Sequence, residues 1–138
     1  MRAVLDTNVF VSMLISRRDT EAWLTYLWKN RYFEVVVSQT LLDELMDVLN
    51  RSHVTAKIDL HRRIALFQRF RHRAFWTPGS LDTAGTMPDP NDDFLVSAAL
   101  ETKASFIVTW DKALLEQGEA RGVQIVTPNA FISTIIRG

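Results

Sequence analysis

The chain has 138 residues, a hydrophobic share of 47% and no cysteine. That length suits one domain, residues 1–138, with one core, and the lack of cysteine excludes disulfides, thiolate catalysis and cysteine-ligated zinc. Sixteen Lys and Arg balance sixteen Asp and Glu, so any grip on nucleic acid must come from a local basic patch or through bound metal, not from overall charge.

The N-terminus reads straight into a strand, with neither a secretory signal nor a membrane span, and a cytoplasmic location is expected. Residues 2–6 form that strand. Residues 9–15 follow as a short helix, and a second helix starts at Thr20 and runs through Lys29. The valine-rich residues 33–38 read as a strand, after which Ser38 or Thr40 caps a helix reaching Asn50. Ile58 to His72 is a further helix, and 74–77 a short edge strand. The stretch from Thr77 to Asn91 holds three of the four prolines and two of the five glycines and reads as a long loop, functional or mobile. Asp89 caps the next helix with Pro90 at its first position, and that helix runs to about Lys103. Residues 105–109 are a strand, 111–120 a helix that Gly122 stops, 123–126 a strand, and Pro128 opens the last helix, to Ile136. Alternating strands and helices imply a mainly parallel sheet covered on both faces, with the strand C-termini along one edge.

Acidic residues gather at that edge. Asp6 ends the run Arg2-Ala3-Val4-Leu5, Asp111 follows Ser105-Phe106-Ile107-Val108-Thr109, and Asp93, with Asp92 beside it, opens a helix. On a helical wheel, Leu41, Leu42, Leu45, Val48 and Leu49 form one apolar stripe, while Asp43 and Asp47 fall opposite it. Glu44 lies roughly 100° from the stripe's centre and can lean toward the sheet edge. Two roles are open to Asp6 and Asp111: helix cap or metal ligand. A carboxylate in a first helical turn is favoured by the helix dipole. Asp89, Asn91, Asp92 and Asp93 together exceed that need, because adjacent like charges offset the gain. We expect Asp93 as a ligand, Asp92 as its neighbour and Asp89 as the cap. Carboxylates that meet in space repel one another unless a cation joins them, so the pattern points to a metal site and to phosphate chemistry. Thr7 and Asn8 are placed to orient Asp6 through hydrogen bonds, and the Thr109 hydroxyl can bond Asp111 or a ligand.

Other features have plainer readings. The helix bearing His61-Arg62-Arg63 and Arg69-Phe70-Arg71-His72-Arg73 presents either a solvated arginine face or a contact for RNA backbone. His53, His61 and His72 show no metal-ligand spacing and are expected at the surface. Trp23 and Trp28, with Leu24 and Leu27, pack as core or as a dimer face, the latter also able to receive a partner helix.

Leu5-Asp6-Thr7-Asn8-Val9, Leu42-Asp43-Glu44-Leu45, Asp89-Pro90-Asn91-Asp92-Asp93-Phe94-Leu95 and Val108-Thr109-Trp110-Asp111-Lys112 resemble, in order and over essentially the whole chain, the acidic motifs of PIN-domain ribonucleases. The Asp-Pro-x-Asp-Asp form after a long loop is similar to a VapC-like branch of toxins from toxin–antitoxin pairs. The resemblance implies a three-layer α/β/α sandwich with a central mainly parallel sheet, a Mg²⁺ or Mn²⁺ site and RNA cleavage leaving 5′-phosphate and 3′-hydroxyl ends. It also implies an antitoxin partner and a homodimer or higher oligomer. Carried over by position, the catalytic and metal-binding acids are Asp6, Glu44, Asp93 and Asp111, supported by Asn8, Asp92 and Thr109. Trp110 departs from the family pattern, where a small residue is common. Two other readings stand beside this one. A degenerate fold that binds RNA without cutting it would lack some of the acids. An aspartyl-nucleophile phosphatase would want a second acid at Asn8, and a phospho-acceptor domain would want a lysine ending its last strand, where Lys112 does not lie.

Overall fold

The computed structural model describes residues 1–138. Six strands, β1 (Arg2–Leu5), β2 (Glu34–Ser38), β3 (Ala74–Thr77), β4 (Phe106–Val108), β5 (Glu119–Ala120) and β6 (Val123–Val126), form one sheet in the order β3-β2-β1-β4-β6-β5. All pairings are parallel except that of β5 with β6. Ala3, Val4 and Leu5, and likewise Val35, Val36 and Val37, are all buried. Three successive buried residues cannot occur in a strand with one wet face, so both faces of the sheet are covered.

The cover comes from α1 (Thr7–Ile15), α2 (Asp19–Lys29), α3 (Gln39–Leu49), α4 (Ser52–Thr55), α5 (Leu60–Arg73), α6 (Asp93–Thr102), α7 (Lys112–Gln117) and α8 (Pro128–Arg137). The steps from β1 to β2 to β3 run toward one edge of the sheet. Helix α6 then carries the chain back past β1 to β4. With right-handed crossovers, α1 to α5 lie on one face and α6 and α7 on the other. Helix α6 touches β1, β2, β3, β4 and β6, and α8 folds back against α2. Phe10, Trp28 and Phe70 tie α1, α2 and α5 together, with ring centroids 5.0–6.3 Å apart.

Four elements differ from the expected ones. Helix α7 stops at Gln117, where Gly118 takes the left-handed conformation at φ 74°. Gly122, at φ 86°, instead turns the β5–β6 hairpin. The short α4 and β5 carry too few residues to show a periodicity. Helix α6 is preceded by a 3₁₀ turn, Pro90–Asp92, whose cap is Asp89 accepting from Asn91 N–H at 2.9 Å.

Because β2 and β4 flank β1 and are reached by connections running in opposite directions, the switch point of the sheet lies between β1 and β4. Open α/β sheets leave a crevice beyond the strand C-termini there. Asp6 follows β1 and Thr109 follows β4 on its two sides.

Candidate functional site

Asp6 is 6% exposed and caps α1 at the edge of the crevice. Its carboxylate accepts from the Thr7 N–H at 2.7 Å, which caps α1, and from the Thr109 hydroxyl at 2.8 Å. Asn8 Nδ2 donates more weakly to Asp6, at 3.4 Å, and to Thr109 Oγ1, at 3.3 Å. The fully buried Thr109 hydroxyl also accepts from the Asp111 N–H at 2.9 Å. Asp111 in turn caps α7, accepting from Ala113 N–H at 2.9 Å. One threonine therefore ties the acid after β1 to the acid after β4.

Glu44 reaches the same edge from α3. Leu41, Leu45 and Leu49 are buried beneath it, while Glu44 Oε2 accepts from the Thr7 hydroxyl at 2.6 Å. Asp43 is exposed and paired with Gln39 at 2.9 Å, and Asp47 is exposed. Thr7 orients Asp6 as expected, through its N–H; its hydroxyl also holds Glu44, a second role the sequence did not announce.

The adjacent pair Asp92 and Asp93 is placed the other way round from expectation. Asp93 turns away from the cluster. Its carboxylate accepts from Gly85 N–H at 3.0 Å, Thr86 Oγ1 at 3.3 Å and Met87 N–H at 2.9 Å. It anchors the preceding loop instead. Asp92 makes no side-chain capping bond and lies in the field of Asp6, Asp89, Glu44 and Asp111. Helical geometry explains the reversal, since consecutive residues project about 100° apart and only one of two neighbours can face the crevice.

The protonation behaviour follows the geometry. Burial pushes the Asp92 carboxyl up to about 6, and the negative charges of Asp6, Asp89, Glu44 and Asp111 add to the rise. Burial also raises Asp6, with Glu44 and Asp111 contributing, while the bonds from Thr109 and Thr7 pull it back. Asp6, Glu44, Asp92 and Asp111 thus form one electrostatic group without a basic side chain among them. The donors are all oxygens, which suits a hard divalent cation, and such a cation would relieve the mutual repulsion. As the side chains stand, no three His, Asp or Glu are close enough to share one ion, so ion binding requires the carboxylates to draw together.

Trp110 is half-buried between Thr109 and Asp111. Its N–H donates to Asn8 Oδ1 at 3.2 Å, its Nε1–H to Ser12 Oγ at 3.2 Å, and the Arg18 guanidinium lies 5.2 Å from the ring centroid. Trp28 is buried in the core, whereas Trp23 is exposed beside Tyr26. The three histidines lie at the surface. A second acid of α6, Glu101, also escaped the sequence reading. It accepts from the Thr77 hydroxyl, from Gly79 N–H at 2.7 Å, from Ser80 N–H and Oγ at 2.8 and 3.0 Å, and from Leu81 N–H at 3.0 Å. These donors hold its carboxyl down at about 2.

No helix is long and apolar enough to cross a membrane. A family model described as PIN domain matches residues 2–113. None of the curated proteins matches the sequence. Among solved structures, the chain is similar to VapBC2 from Rickettsia felis, bound to a DNA fragment from their promoter, with TM-score 0.61 and 19% identity over 92% of this chain and 98% of that one. It is also similar to the PIN domain of human SMG5, with TM-score 0.54 and 14% identity over 97% and 98% of the two chains. The PIN domain endonuclease Utp24 superposes with TM-score 0.53 and 19% identity, over 91% of this chain and 84% of that one.

Proposed function

The chain belongs to the PIN domain family, and from that premise we propose that it is a divalent-metal-dependent endoribonuclease and the toxin of a toxin–antitoxin pair acting in the cytoplasm. The observation that carries the reading is that Thr7 and Thr109 tie Asp6 to Glu44 and to Asp111 at the β1/β4 switch point, with Asp92 in the field of all three. Asp92 replaces Asp93 as the fourth acid of the site. The similarity to VapBC2 supports the pairing with an antitoxin, and the similarity to Utp24 supports endonuclease chemistry.

These four acids would hold Mg²⁺ or Mn²⁺. Such an ion, when bound, lowers the pKa of water and neutralises charge growing on a phosphate during in-line attack. The chain's own residues set the stage. Thr109 and Thr7 fix the rotamers of Asp6 and Glu44. Asn8 locks the backbone at Trp110 and so the direction of Asp111. The carboxylates, kept free of basic partners, supply charge that only a cation or a proton can satisfy.

The decisive experiment is cleavage of single-stranded RNA after treatment with EDTA. Activity should vanish and return with Mn²⁺. Cleavage that survives chelation would exclude the mechanism, and a protein that binds RNA but never cuts it would favour the degenerate binding module.

A further inference from the structure

A cleft of about 390 Å³ opens between the end of α1, one side of α2 from Glu21 to Lys29 and the flank of α5. Its walls carry five cations, Arg17, Arg18, Lys29, Arg62 and Arg69, against the one carboxylate of Glu21. Glu21 is 2% exposed and is already matched by Arg18, whose Nη2 lies 2.6 Å from Glu21 Oε1. The remaining positive charge therefore faces solvent in a concave setting, where a potential is focused rather than dispersed.

Part of that charge is built into the wall. Arg62 Nη1 donates to the Ser16 carbonyl at 2.5 Å, and the Arg69 guanidinium lies 5.2 Å from the Trp28 ring centroid. Arg17 and Lys29 are the loose ends. The Arg17 side chain is 80% exposed and only 3.8 Å from Asp59 at closest, and Lys29 has no ion-pair partner. The arginines of α5 are thus neither a uniform solvated face nor core. Arg62 and Arg69, seven residues apart, share this one cleft.

The cleft adjoins the acidic cluster. Arg18 belongs to its lining and also lies over Trp110, which sits in the chain between Thr109 and Asp111. A polyanion reaching the carboxylates can pass over Trp110 directly into the cleft. An acidic peptide has no reason to abut a metal-binding centre, whereas a nucleic-acid strand cut there must leave it on both sides.

We propose that this cleft is the track for the RNA strand on one side of the scissile phosphate, with Arg17 and Lys29 holding its backbone phosphates and Trp110 forming the wall the strand crosses. The inference rests on the nuclease reading above. It is tested with the double variant Arg17→Gln/Lys29→Gln and a single-stranded RNA of about 12 nucleotides, a length that outreaches the acidic centre. Binding is followed by fluorescence anisotropy in EDTA, so that it does not depend on cleavage. The double variant should bind about tenfold more weakly, and its log–log salt slope should fall by about 1.4, or about 0.7 for each single-strand phosphate no longer neutralised. Cleavage of a trinucleotide with Mn²⁺, which does not reach the cleft, should be unchanged. Equal RNA affinity and salt slope in the two proteins would overturn the track, as would a weakening confined to binding of a poly-glutamate peptide. Failure of the unsubstituted protein to cut either RNA would overturn the proposed function instead.

Discussion

Asp92 and Asp93 are chain neighbours with opposite allegiances: Asp92 shares the field of Asp6, Glu44 and Asp111, while Asp93 is spent on the backbone of Gly85 and Met87. Their amide variants should separate cleanly. Asp92→Asn should abolish cleavage and keep or raise the melting temperature in EDTA, because repulsion is relieved. Asp93→Asn turns an amide toward N–H donors, at a cost of about 1.5–3 kcal/mol for bonds to a charged acceptor. It should melt several degrees lower yet retain metal-dependent cleavage. The opposite outcome, with Asp93→Asn dead and fully stable, would restore Asp93 to the site.

Asp6 and Asp92 both have carboxyls raised by burial, Asp92 to about 6. A carboxyl raised on folding favours the protonated native state. Its stabilising contribution is complete below the ordinary carboxylate pKa and is lost as pH climbs through about 6. In EDTA, melting temperature should therefore fall between pH 5 and pH 7.5. Mn²⁺ competes with protons for the same oxygens. Its stabilising shift should be larger at pH 7.5 than at pH 5, as thermal melts at the two pH values would show. An equal shift at both would place the ion elsewhere.

Glu101 shows the reverse sign. Its carboxyl is held at about 2, first by the Thr77 hydroxyl and then by the donors of residues 79 and 80. That contribution is present above the ordinary glutamate value and disappears as pH drops toward 2. Glu101→Gln should lower the melting temperature at pH 6 and flatten its decline between pH 5 and pH 3. A variant that melts with the parent at pH 6 would deny the carboxylate its anchoring role.

Thr109 offers a test of preorganisation. Thr109→Val keeps the shape but removes the hydroxyl shared by Asp6, Asn8 and Asp111. The Mn²⁺ concentration giving half-maximal cleavage should rise about tenfold or more, the usual effect of losing a group that orients metal ligands. Thr109→Ser should recover most of it. A valine variant with unaltered metal dependence would mean that the hydroxyl serves packing alone.

Much of this molecule is legible in its chain of residues. Unbroken apolar runs at 3–5 and 35–37 declare buried parallel strands, and the wheel of α3 correctly sets Glu44 apart from Asp43 and Asp47. What escapes is whatever depends on a single residue's direction. Asp92 and Asp93 are chemically alike, and only the exact start of the helix decides which one faces the crevice. Gly118 and Gly122 are both plausible stops, and the hairpin between them is too short to announce itself. Glu101 looks like an ordinary helical acid, because its partners are hydroxyls and backbone amides of residues 77–81, about twenty residues away in the chain.

Glu101 and Asp93 lie at opposite ends of α6 and between them grip residues 79–81 and 85–87. A proline-containing segment without regular structure is thereby stapled along a helix that itself touches five strands. Its amide hydrogens at Gly79, Leu81, Gly85 and Met87 should exchange with deuterium at the pace of α6. A protease should find the segment no easier to nick than the helix beneath it, because the two come apart in one cooperative step.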